Sequence, residues 1–559
     1  MINHLYNPAQ SIGKLMRIVS CENRWCMRYR LLFILLYICC VSAIQAGNIK
    51  FPYSILGGEL SNSAATSIED IREVMPRMKA IGMNTVLVPV YWELMEPQET
   101  QYDFSLVDCT IDEARKNELK VIFLWFGAWK NSMSCYAPGW FKQDTKRFPR
   151  AMTKAGKTLE IASCFSDHVL QADLRAFTEL MRHIAEKDRE GATVIMMQIE
   201  NEIGMLEDAR DHSPLAEKAY QTEIPKQLRK VLKIGKAATW KETYGDDPYG
   251  EEKFMAWYYA CYVEQLAQAA RKVMPQMPLY VNAAMNSRGR KPGEYPSAGP
   301  LAHLIDIWHC GAPSIDLLAP DIYDTGFKGW AAQYALSDNP LFIPESRCCE
   351  NSGVRAMYSF GEHQALGFSP FAIDQAAARE TESITKAYAL LRQLDHVSGI
   401  KKSWGLLFDQ EEKERVINDD GVVMTCRHYF TLPWDARATD GTTWLEGGAM
   451  LLQLGKYEYL LAGSGVVVDF KTPQEKRQEE EKRLGEDGFA LTSDNRSSLV
   501  KAAGYPRLGL LSVDEIAVGD DGSYNYLRRH NGDQTHQGRH VRISVGDWKI
   551  LHIRLYEYP

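Results

Sequence analysis

Residues 193–202 read Thr-Val-Ile-Met-Met-Gln-Ile-Glu-Asn-Glu, a short apolar run that ends in Glu200, Asn201 and Glu202. A second run, Leu-Phe-Ile-Pro-Glu at residues 341–345, ends in the same way at Glu345. Short apolar runs of this kind are typical of parallel strands that are buried on both faces. A carboxylate directly behind such a strand is costly to desolvate unless it is paired or used in chemistry. These stretches therefore predict a parallel sheet that carries two functional carboxylates.

The same alternation extends over residues 50–395. Strand-like runs lie at residues 53–57, 85–91, 121–126, 194–199, 279–283, 317–322, 341–344 and 367–373. Amphipathic stretches such as residues 68–81, 106–117, 172–187 and 253–273 separate them. Eight strand–helix units in this length predict a (β/α)₈ barrel. A doubly wound sheet is the rival, but no glycine-rich phosphate turn follows the first strand.

The sequence pattern changes after residue 395. Strand-like stretches at residues 422–432, 444–451, 457–469 and 540–558 alternate with Gly/Asp turns and predict a β-sandwich-type accessory domain. Residues 471–487 are densely charged and predict a solvated insertion or a short helix. The predicted organisation is a leader at 1–46, a catalytic barrel at 47–395 and a β-rich domain at 396–559.

The N-terminal segment has the three parts of a secretory signal. Arg24, Arg28 and Arg30 precede an apolar run at residues 31–41, and small residues follow, among them Ala43 and Ala46. This run is shorter than the roughly 20 residues that span a bilayer, so we expect export without a permanent membrane span. The chain has 559 residues, a net charge of −8 and no basic field, which argues against nucleic acid as a partner.

Barrel enzymes carry their active sites at the C-terminal ends of the strands. Glu200 and Glu202 end the fourth predicted strand, and Glu345 ends the seventh, nearly opposite on an eight-stranded ring. Glycoside hydrolysis needs such a pair, because one carboxylic acid protonates the leaving oxygen while a carboxylate attacks the sugar or activates water. Successive side chains of a strand point to opposite faces, so Glu200 and Glu202 are expected to point in the same direction. The spacing alone therefore does not show which of them is catalytic.

Several motifs resemble one known family. The Asn201-Glu202 pair, with Glu345 at the seventh strand, resembles the clan of retaining barrel glycosidases. The string Gln-Ile-Glu-Asn-Glu-Ile-Gly at residues 198–204 resembles the acid/base motif of the β-galactosidases in glycoside hydrolase family 35. Residues 78–85, 91–97, 102–104 and 137–140 resemble further segments of that family, so that the similarity covers roughly residues 50–375. Weaker similarity to family 42 is expected, since both share the clan pattern.

The resemblance implies a role for each matching residue. Glu345 is expected to attack the anomeric carbon, and Glu202 to give a proton to the leaving oxygen and then take one from water. Asn201 is expected to bind the sugar 2-OH, and Tyr323 to donate a hydrogen bond to Glu345. Glu200 is expected to be a supporting carboxylate.

The chain also departs from the family pattern. Pro89 stands where a tyrosine is common, and Asn131 where an acidic residue contacts the sugar hydroxyls. Galactose is the first choice of sugar, followed by arabinopyranose and glucose. Other candidates for sugar contacts are Glu59, Trp92, Asn131 and Asn282, together with Trp125 and Trp129. No cofactor or metal ion is implied.

The sequence thus predicts an exported retaining exo-β-galactosidase of a bacterial periplasm or cell surface, which removes terminal galactose from glycan oligosaccharides. Another retaining β-glycosidase of the same clan is the first alternative, and a non-catalytic glycan-binding barrel is a rival from a different class. Transglycosylation would use the same residues. The β-rich region could bind glycan, complete the rim of the active site or form a homodimer.

Overall fold

Eight parallel strands close into a barrel in which neighbours in the chain are neighbours in space. The computed structural model describes residues 49, 51–286, 288–323, 325–481 and 504–559, so the predicted leader lies outside the described residues. The barrel strands are β1 (Ile55–Glu59), β2 (Thr85–Tyr91), β3 (Lys120–Phe126), β6 (Val194–Gln198), β7 (Leu279–Ala284), β8 (Leu317–Ile322), β9 (Phe342–Ser346) and β10 (Gly367–Pro370). The predicted (β/α)₈ barrel is confirmed.

Helices surround the barrel. They are α1 (Ile68–Ile81), α2 (Trp92–Met95), α3 (Ser105–Lys116), α4 (Gly139–Gln143), α5 (Asp167–Lys187), α6 (Pro214–Tyr220), α7 (Lys226–Val231), α8 (Trp240–Tyr244), α9 (Pro248–Val273), α10 (Ile305–Gly311), α11 (Phe327–Tyr334), α12 (Ser352–His363) and α13 (Ala378–Leu394). A small hairpin of β4 (Arg150–Met152) and β5 (Thr158–Ala162) extends one loop. Helix α1 illustrates the local rules: the Ser67 side chain caps its first turn, and Gly82 ends it with a φ of 98°.

The C-terminal region consists of two antiparallel sheets. Six strands form one sheet in the order β11-β14-β15-β20-β17-β18, and four strands form the other in the order β12-β13-β16-β19. Their bounds are β11 (Lys402–Phe408), β12 (Glu414–Asp419), β13 (Val422–His428), β14 (Gly447–Gly455), β15 (Glu458–Ser464), β16 (Val466–Lys471), β17 (Arg507–Val518), β18 (Tyr524–Arg529), β19 (Val541–Ile543) and β20 (Lys549–Tyr558). Helix α14 (Pro473–Glu481) occupies the first half of the charged stretch at 471–487, and residues 482–487 lie outside the described part.

The six-stranded sheet is covered on both faces. Alternate residues of β14, such as Ala449 and Leu451, join the core between the two sheets, whereas Met450 and Leu452 join the core of the barrel. The same alternation runs along β15, which is the period of two that a doubly covered strand requires. Residues from Ile49 to Pro559 accordingly form one compact unit. Among the described residues, none of the helices has the length and apolarity needed to span a membrane.

Candidate active site

Four buried carboxylic acids meet at the C-terminal end of the barrel. Glu59 is the last residue of β1, Asp321 lies near the end of β8, and Glu345 lies beside Asp321 in the neighbouring strand β9. Glu202 follows β6 by four residues. All four are at most 5% exposed. The strand ends therefore gather the two predicted catalytic carboxyls together with two more acids.

The loop that carries Glu202 is paired with the loop that follows β3. The backbone N–H of Asn201 donates to the oxygen of Trp129 at 3.2 Å, and the N–H of Asn131 donates to the oxygen of Asn201 at 3.1 Å. Five non-glycine residues of these two loops have positive φ angles: Asn131, Ser132, Glu200, Glu202 and Glu207. Such backbone is uncommon and persists where the surrounding structure enforces it, as at functional sites.

Glu345 receives hydrogen bonds from three side chains. The Tyr323 hydroxyl donates to Oε2, while the amide nitrogens of Asn201 and Asn282 lie 3.4 and 3.3 Å from Oε1. The Asn201 side-chain oxygen is buried and has no hydrogen-bond donor among the described residues. The hydrogen bond expected from Tyr323 to Glu345 is thus present, whereas the contact of Asn201 with Glu345 was not predicted, since Asn201 was assigned to the sugar 2-OH.

Glu202 has the surroundings of a general acid. Burial and the nearby Glu345 raise its pKa to about 7, while Lys130, Asp321 and Asn131 act in the opposite direction. The Asn131 amide donates to Oε2 of Glu202. One oxygen from each of Glu202, Asp321 and Glu345 lies within 4.8 Å of the others. This spacing is closer to the about 5–5.5 Å of retaining glycosidases than to the roughly 6.5–9.5 Å of inverting ones.

Asn282 connects the acids. Its oxygen accepts from the backbone N–H of Glu202 at 2.9 Å, and its amide nitrogen donates to Asp321 at 2.8 Å. Together with the contact to Glu345, this makes Asn282 a bridge between the carboxyl groups of Asp321 and Glu345 and the backbone of Glu202. Sequence reasoning placed Asn282 in the site but assigned it to the sugar.

Glu59 and Lys130 complete the group. Both oxygens of Glu59 are buried and have no hydrogen-bond donor within the part of the chain that the structure describes. Burial and Glu345 raise the pKa of Glu59 well above the ordinary value for glutamic acid. Lys130 is 3% exposed, and its charge lowers the pKa of both Glu59 and Glu202. Neither Lys130 nor Asp321 was among the predicted site residues, although both follow or end apolar barrel strands, the signal by which Glu345 was found.

Glu200 does not join the catalytic group. Its Oε2 accepts from the backbone N–H of Trp129 at 2.8 Å, and its other partner is Asp173 of α5. Tyr262 and Trp125 donate to Asp173 at 2.7 and 2.8 Å. The left-handed backbone at positions 200 and 202 breaks the period of two, so the two glutamates point to different partners. Glu200 is a supporting carboxylate, as the motif implied.

Trp92 does not belong to the group of four carboxylic acids at the C-terminal end of the barrel. It is fully buried, its indole N–H donates to Glu96 at 2.7 Å, and its ring packs against Trp125, Trp140 and Phe141. The expectation that Trp92 stacks on a sugar is corrected by this packing, since no face of the ring remains free. Its position at the end of β2 was a misleading signal, because α2 begins there and turns the side chain into the core.

Two groups of side chains among the described residues have the spacing of a metal site. In the group of Asp208, His212 and Glu251, the Arg210 guanidinium already pairs with Glu251 at 3.0 Å. The other group is Glu202, Asp321 and Glu345, where amide, hydroxyl and ammonium groups supply the hydrogen bonds and the counter-charge. The sequence predicts no metal ion, and the chemistry proposed below uses none.

Comparison with known proteins finds two family models. Residues 63–247 match glycoside hydrolase family 42, described as β-galactosidase, and residues 384–542 match DUF5597, a domain of unknown function. A human protein named β-galactosidase-1-like protein 3 is 28% identical over 155 residues, which make up 26% of this chain and 21% of that protein. This chain therefore spans about a fifth of that relative.

Solved structures give a weaker likeness. A catalytic mutant of Gan42B, a family 42 β-galactosidase from G. stearothermophilus, is 16% identical with a TM-score of 0.46, over 61% of this chain and 57% of that one. The β-galactosidase from Marinomonas ef1 is 13% identical with a TM-score of 0.45, over 60% and 59%. This chain covers less than two thirds of either structure.

The closed barrel, its carboxyl pair and the match to a family 42 model agree with the class of glycoside hydrolases on (β/α)₈ barrels. Within that class the match is to family 42 β-galactosidases, and the expected assignment to family 35 is not supported. The clan and the β-galactosidase description of the matched model agree with the prediction from sequence. Because the two families share the clan pattern around Asn201 and Glu202, short motifs could not separate them.

Proposed function

We propose that this chain is a retaining exo-β-galactosidase that hydrolyses terminal β-galactosyl residues of glycan oligosaccharides. One observation carries the proposal: Glu202 and Glu345 bring carboxylate oxygens within 4.8 Å of each other at the C-terminal end of the barrel. A separation this short is nearer to the about 5–5.5 Å of a retaining pair than to the roughly 6.5–9.5 Å of an inverting pair, and it suits a nucleophile that attacks the sugar directly.

In the first step, an oxygen of Glu345 forms a bond to the anomeric carbon while the glycosidic bond breaks. The proton of Glu202 passes to the leaving oxygen, which takes the electron pair of that bond. Hydrogen bonds from Tyr323, Asn201 and Asn282 hold the Glu345 carboxyl in place for the attack. A pKa of Glu202 raised to about 7 supports its role as the protonated acid at neutral pH.

In the second step, Glu202 takes a proton from water, and the water oxygen displaces Glu345 from the anomeric carbon. Two inversions give net retention. The free oxygen of Asn201 and both oxygens of Glu59 are buried polar atoms that sugar hydroxyls could satisfy. We propose these atoms as sugar contacts, with Asn131 at the exposed rim beside Glu202.

The setting of the enzyme is proposed from its sequence. The leader-like residues 1–46 favour export to a bacterial periplasm or cell surface, and the substrate there would be an oligosaccharide or polysaccharide. The β-rich region matches a domain of unknown function, and glycan binding, completion of the active-site rim and homodimer formation all stay open as its role.

The test is hydrolysis of a panel of nitrophenyl glycosides by protein that lacks residues 1–46. The β-galactoside should be cleaved faster than the α-L-arabinopyranoside and the β-glucoside, and NMR should show the β-anomer as the first product. Glu345→Gln should abolish turnover, whereas Glu202→Gln should be rescued by azide with an activated leaving group. Glu186→Gln, at an exposed position of α5, is the matched control.

If another glycoside is cleaved faster, the proposed mechanism stands and the proposed sugar is wrong. If every glycoside is inert while sugars still bind, the non-catalytic binding barrel replaces the enzyme.

A further inference from the structure

A tryptophan stands open to solvent in the C-terminal region. Trp434 lies in the connection between β13 and β14 and is 51% exposed. Of the tryptophans in the described part of the chain, it is the only exposed one. A single exposed apolar side chain needs no explanation, but an exposed indole held in one orientation is typical of a binding surface. The neighbours of Trp434 therefore decide whether the ring has a function.

Two histidine rings pack against the indole. The ring centroid of His536 lies 4.7 Å from that of Trp434, with 29° between the planes, and His540 lies at 6.0 Å and 17°. The two imidazole rings are also nearly parallel to each other, at 5.6 Å and 13°. This stack restrains the indole while about half of the residue stays open. A ring that is already ordered loses little conformational entropy when a ligand binds to it.

The histidines of the stack are uncharged at neutral pH. Burial and the nearby Arg427 lower the pKa of His540 to about 3. Burial, Arg539 and Arg542 lower the pKa of His536 as well. The indole and the two imidazoles thus form a neutral aromatic surface. Such a surface suits the apolar C–H face of a pyranose ring.

Polar groups lie beside this surface. The guanidinium carbon of Arg542 lies 5.5 Å from the centroid of the Trp434 ring. Its Nη1 and the Nε2 of His540 are buried and have no hydrogen-bond partner within the residues that the structure describes. Buried polar atoms are normally paired, so unpaired ones indicate where a ligand or an ordered water molecule completes the hydrogen bonding. An aromatic face with polar groups at its edge matches a sugar, which carries hydroxyl groups around an apolar face.

The loop that carries Trp434 is fixed to the catalytic side of the barrel. It ends at Glu446, whose carboxylate pairs with Arg355 of α12 at 2.6 Å and whose backbone N–H donates to the side-chain oxygen of Asn351 at 3.1 Å. Helix α12 follows β9, the strand of Glu345. The first turn of α12 therefore lies at the C-terminal end of the barrel strands, where the active site is found.

We propose that Trp434 is the platform of a second sugar-binding site, which takes a galactosyl unit of a β-linked galactan chain. The proposal rests on the proposed glycosidase function, which supplies the identity of the chain. The open face of the indole stacks on the pyranose ring. Because an exo-acting site holds only the end of a chain, a second contact on the same molecule raises the local concentration of chain ends.

The experiment is electrophoresis through native gels that contain soluble β-galactan. All proteins carry Glu345→Gln, so that the polymer is not cleaved. Trp434→Ala is compared with Tyr526→Ala, which removes a ring that is 61% exposed on the edge strand β18. Galactan should retard the parent, and Trp434→Ala should raise the Kd for galactan at least about tenfold, as expected for loss of an aromatic anchor. Tyr526→Ala should match the parent.

Trp434→Phe is the second variant, since it keeps a smaller ring if the alanine variant does not fold, and its Kd should lie between those of the parent and Trp434→Ala. A parent that is not retarded, a folded Trp434→Ala variant that keeps its retardation, or an equal loss in Tyr526→Ala would overturn the second site.

Hydrolysis of nitrophenyl β-galactoside by the protein with Glu345 in place tests the proposed function separately. Turnover that depends on Glu202 and Glu345, without retardation by galactan, keeps the enzyme and overturns the second site. Retardation that is lost in Trp434→Ala, in a protein that cleaves no glycoside, keeps the second site and overturns the enzyme.

Discussion

The side-chain oxygen of Asn282 accepts a hydrogen bond of 2.9 Å from the backbone N–H of Glu202. The same side chain turns its amide nitrogen toward Asp321 and Glu345. Glu202, the proposed acid/base group on a loop, is thereby fixed relative to Glu345, the proposed nucleophile on a strand. Precise placement of this kind supplies much of the rate of an enzyme, because reacting groups displaced by an ångström lose most of their advantage.

Asn282→Ala should therefore lower kcat/KM by about 10²–10³-fold, the loss typical for one preorganised hydrogen-bond donor. The measurement is steady-state hydrolysis together with thermal unfolding. Asn339→Ala is the control: Asn339 is equally buried and bonds the backbone of Leu318 at the opposite end of β8. This control should lose stability and keep its turnover. Equal losses of activity in the two variants would show that Asn282 acts only through folding.

Lys130→Met should move the alkaline limb of kcat/KM to higher pH. The charge of Lys130 lowers the pKa of Glu202, so its removal raises that pKa and keeps the acid protonated further into the alkaline range. A shift of up to about one unit is expected for a single nearby charge. Lys120→Met, at the beginning of β3, should leave the limb unchanged. A shift in the opposite direction for Lys130→Met would contradict the electrostatic account.

Glu200→Gln should make protein stability less sensitive to pH. Burial and Asp173 raise the pKa of Glu200, so the folded state holds a proton that the unfolded chain releases above about pH 4.5. The free energy of unfolding therefore falls as pH rises from that value toward the raised pKa, by about 1.4 kcal/mol for each unit of the shift. The neutral amide removes this loss. Denaturant unfolding should show a smaller difference between the free energies of unfolding at pH 5 and pH 8 in the variant than in the wild type. An equal difference in the two proteins would argue against a protonated Glu200.

Trp92→Phe should reduce stability by about 1–3 kcal/mol and leave KM unchanged. The substitution removes the hydrogen bond to Glu96 and part of a ring that fills the space between Trp125, Trp140 and Phe141. Urea unfolding and KM for the nitrophenyl galactoside are the two measurements. A raised KM at unchanged stability would indicate that Trp92 contacts the sugar.

The barrel could be predicted from sequence because its strands are continuous apolar runs. The predicted runs at residues 85–91 and 317–322 coincide with β2 and β8, and α1 has the predicted bounds. The accessory region was harder. Strands β11, β12, β17 and β18 were missed. For β12 and β18 the reason is that their residues are largely exposed, so no apolar periodicity marks them.

The site was predictable where a single residue ends a strand, as Glu345 does. It was not predictable where the backbone leaves the regular period, as at Glu200 and Glu202, or where the partner comes from another strand, as for Asp321 beside Glu202. Contacts of that kind depend on the register of the barrel strands β6 and β8, which no local sequence pattern encodes. The direction of the Trp92 side chain depended in the same way on a short helix.

The covalent role of Glu345 is the central claim, and a 2-deoxy-2-fluoro-β-galactosyl fluoride tests it most directly. The fluorine slows the second step, so the account predicts one sugar per chain, attached within the peptide that contains Glu345, and reactivation on addition of an acceptor. Glu345→Gln should remain unlabelled. Label on another residue, or turnover of β-galactosides without any trapped sugar and with inversion at the anomeric carbon, would contradict the account.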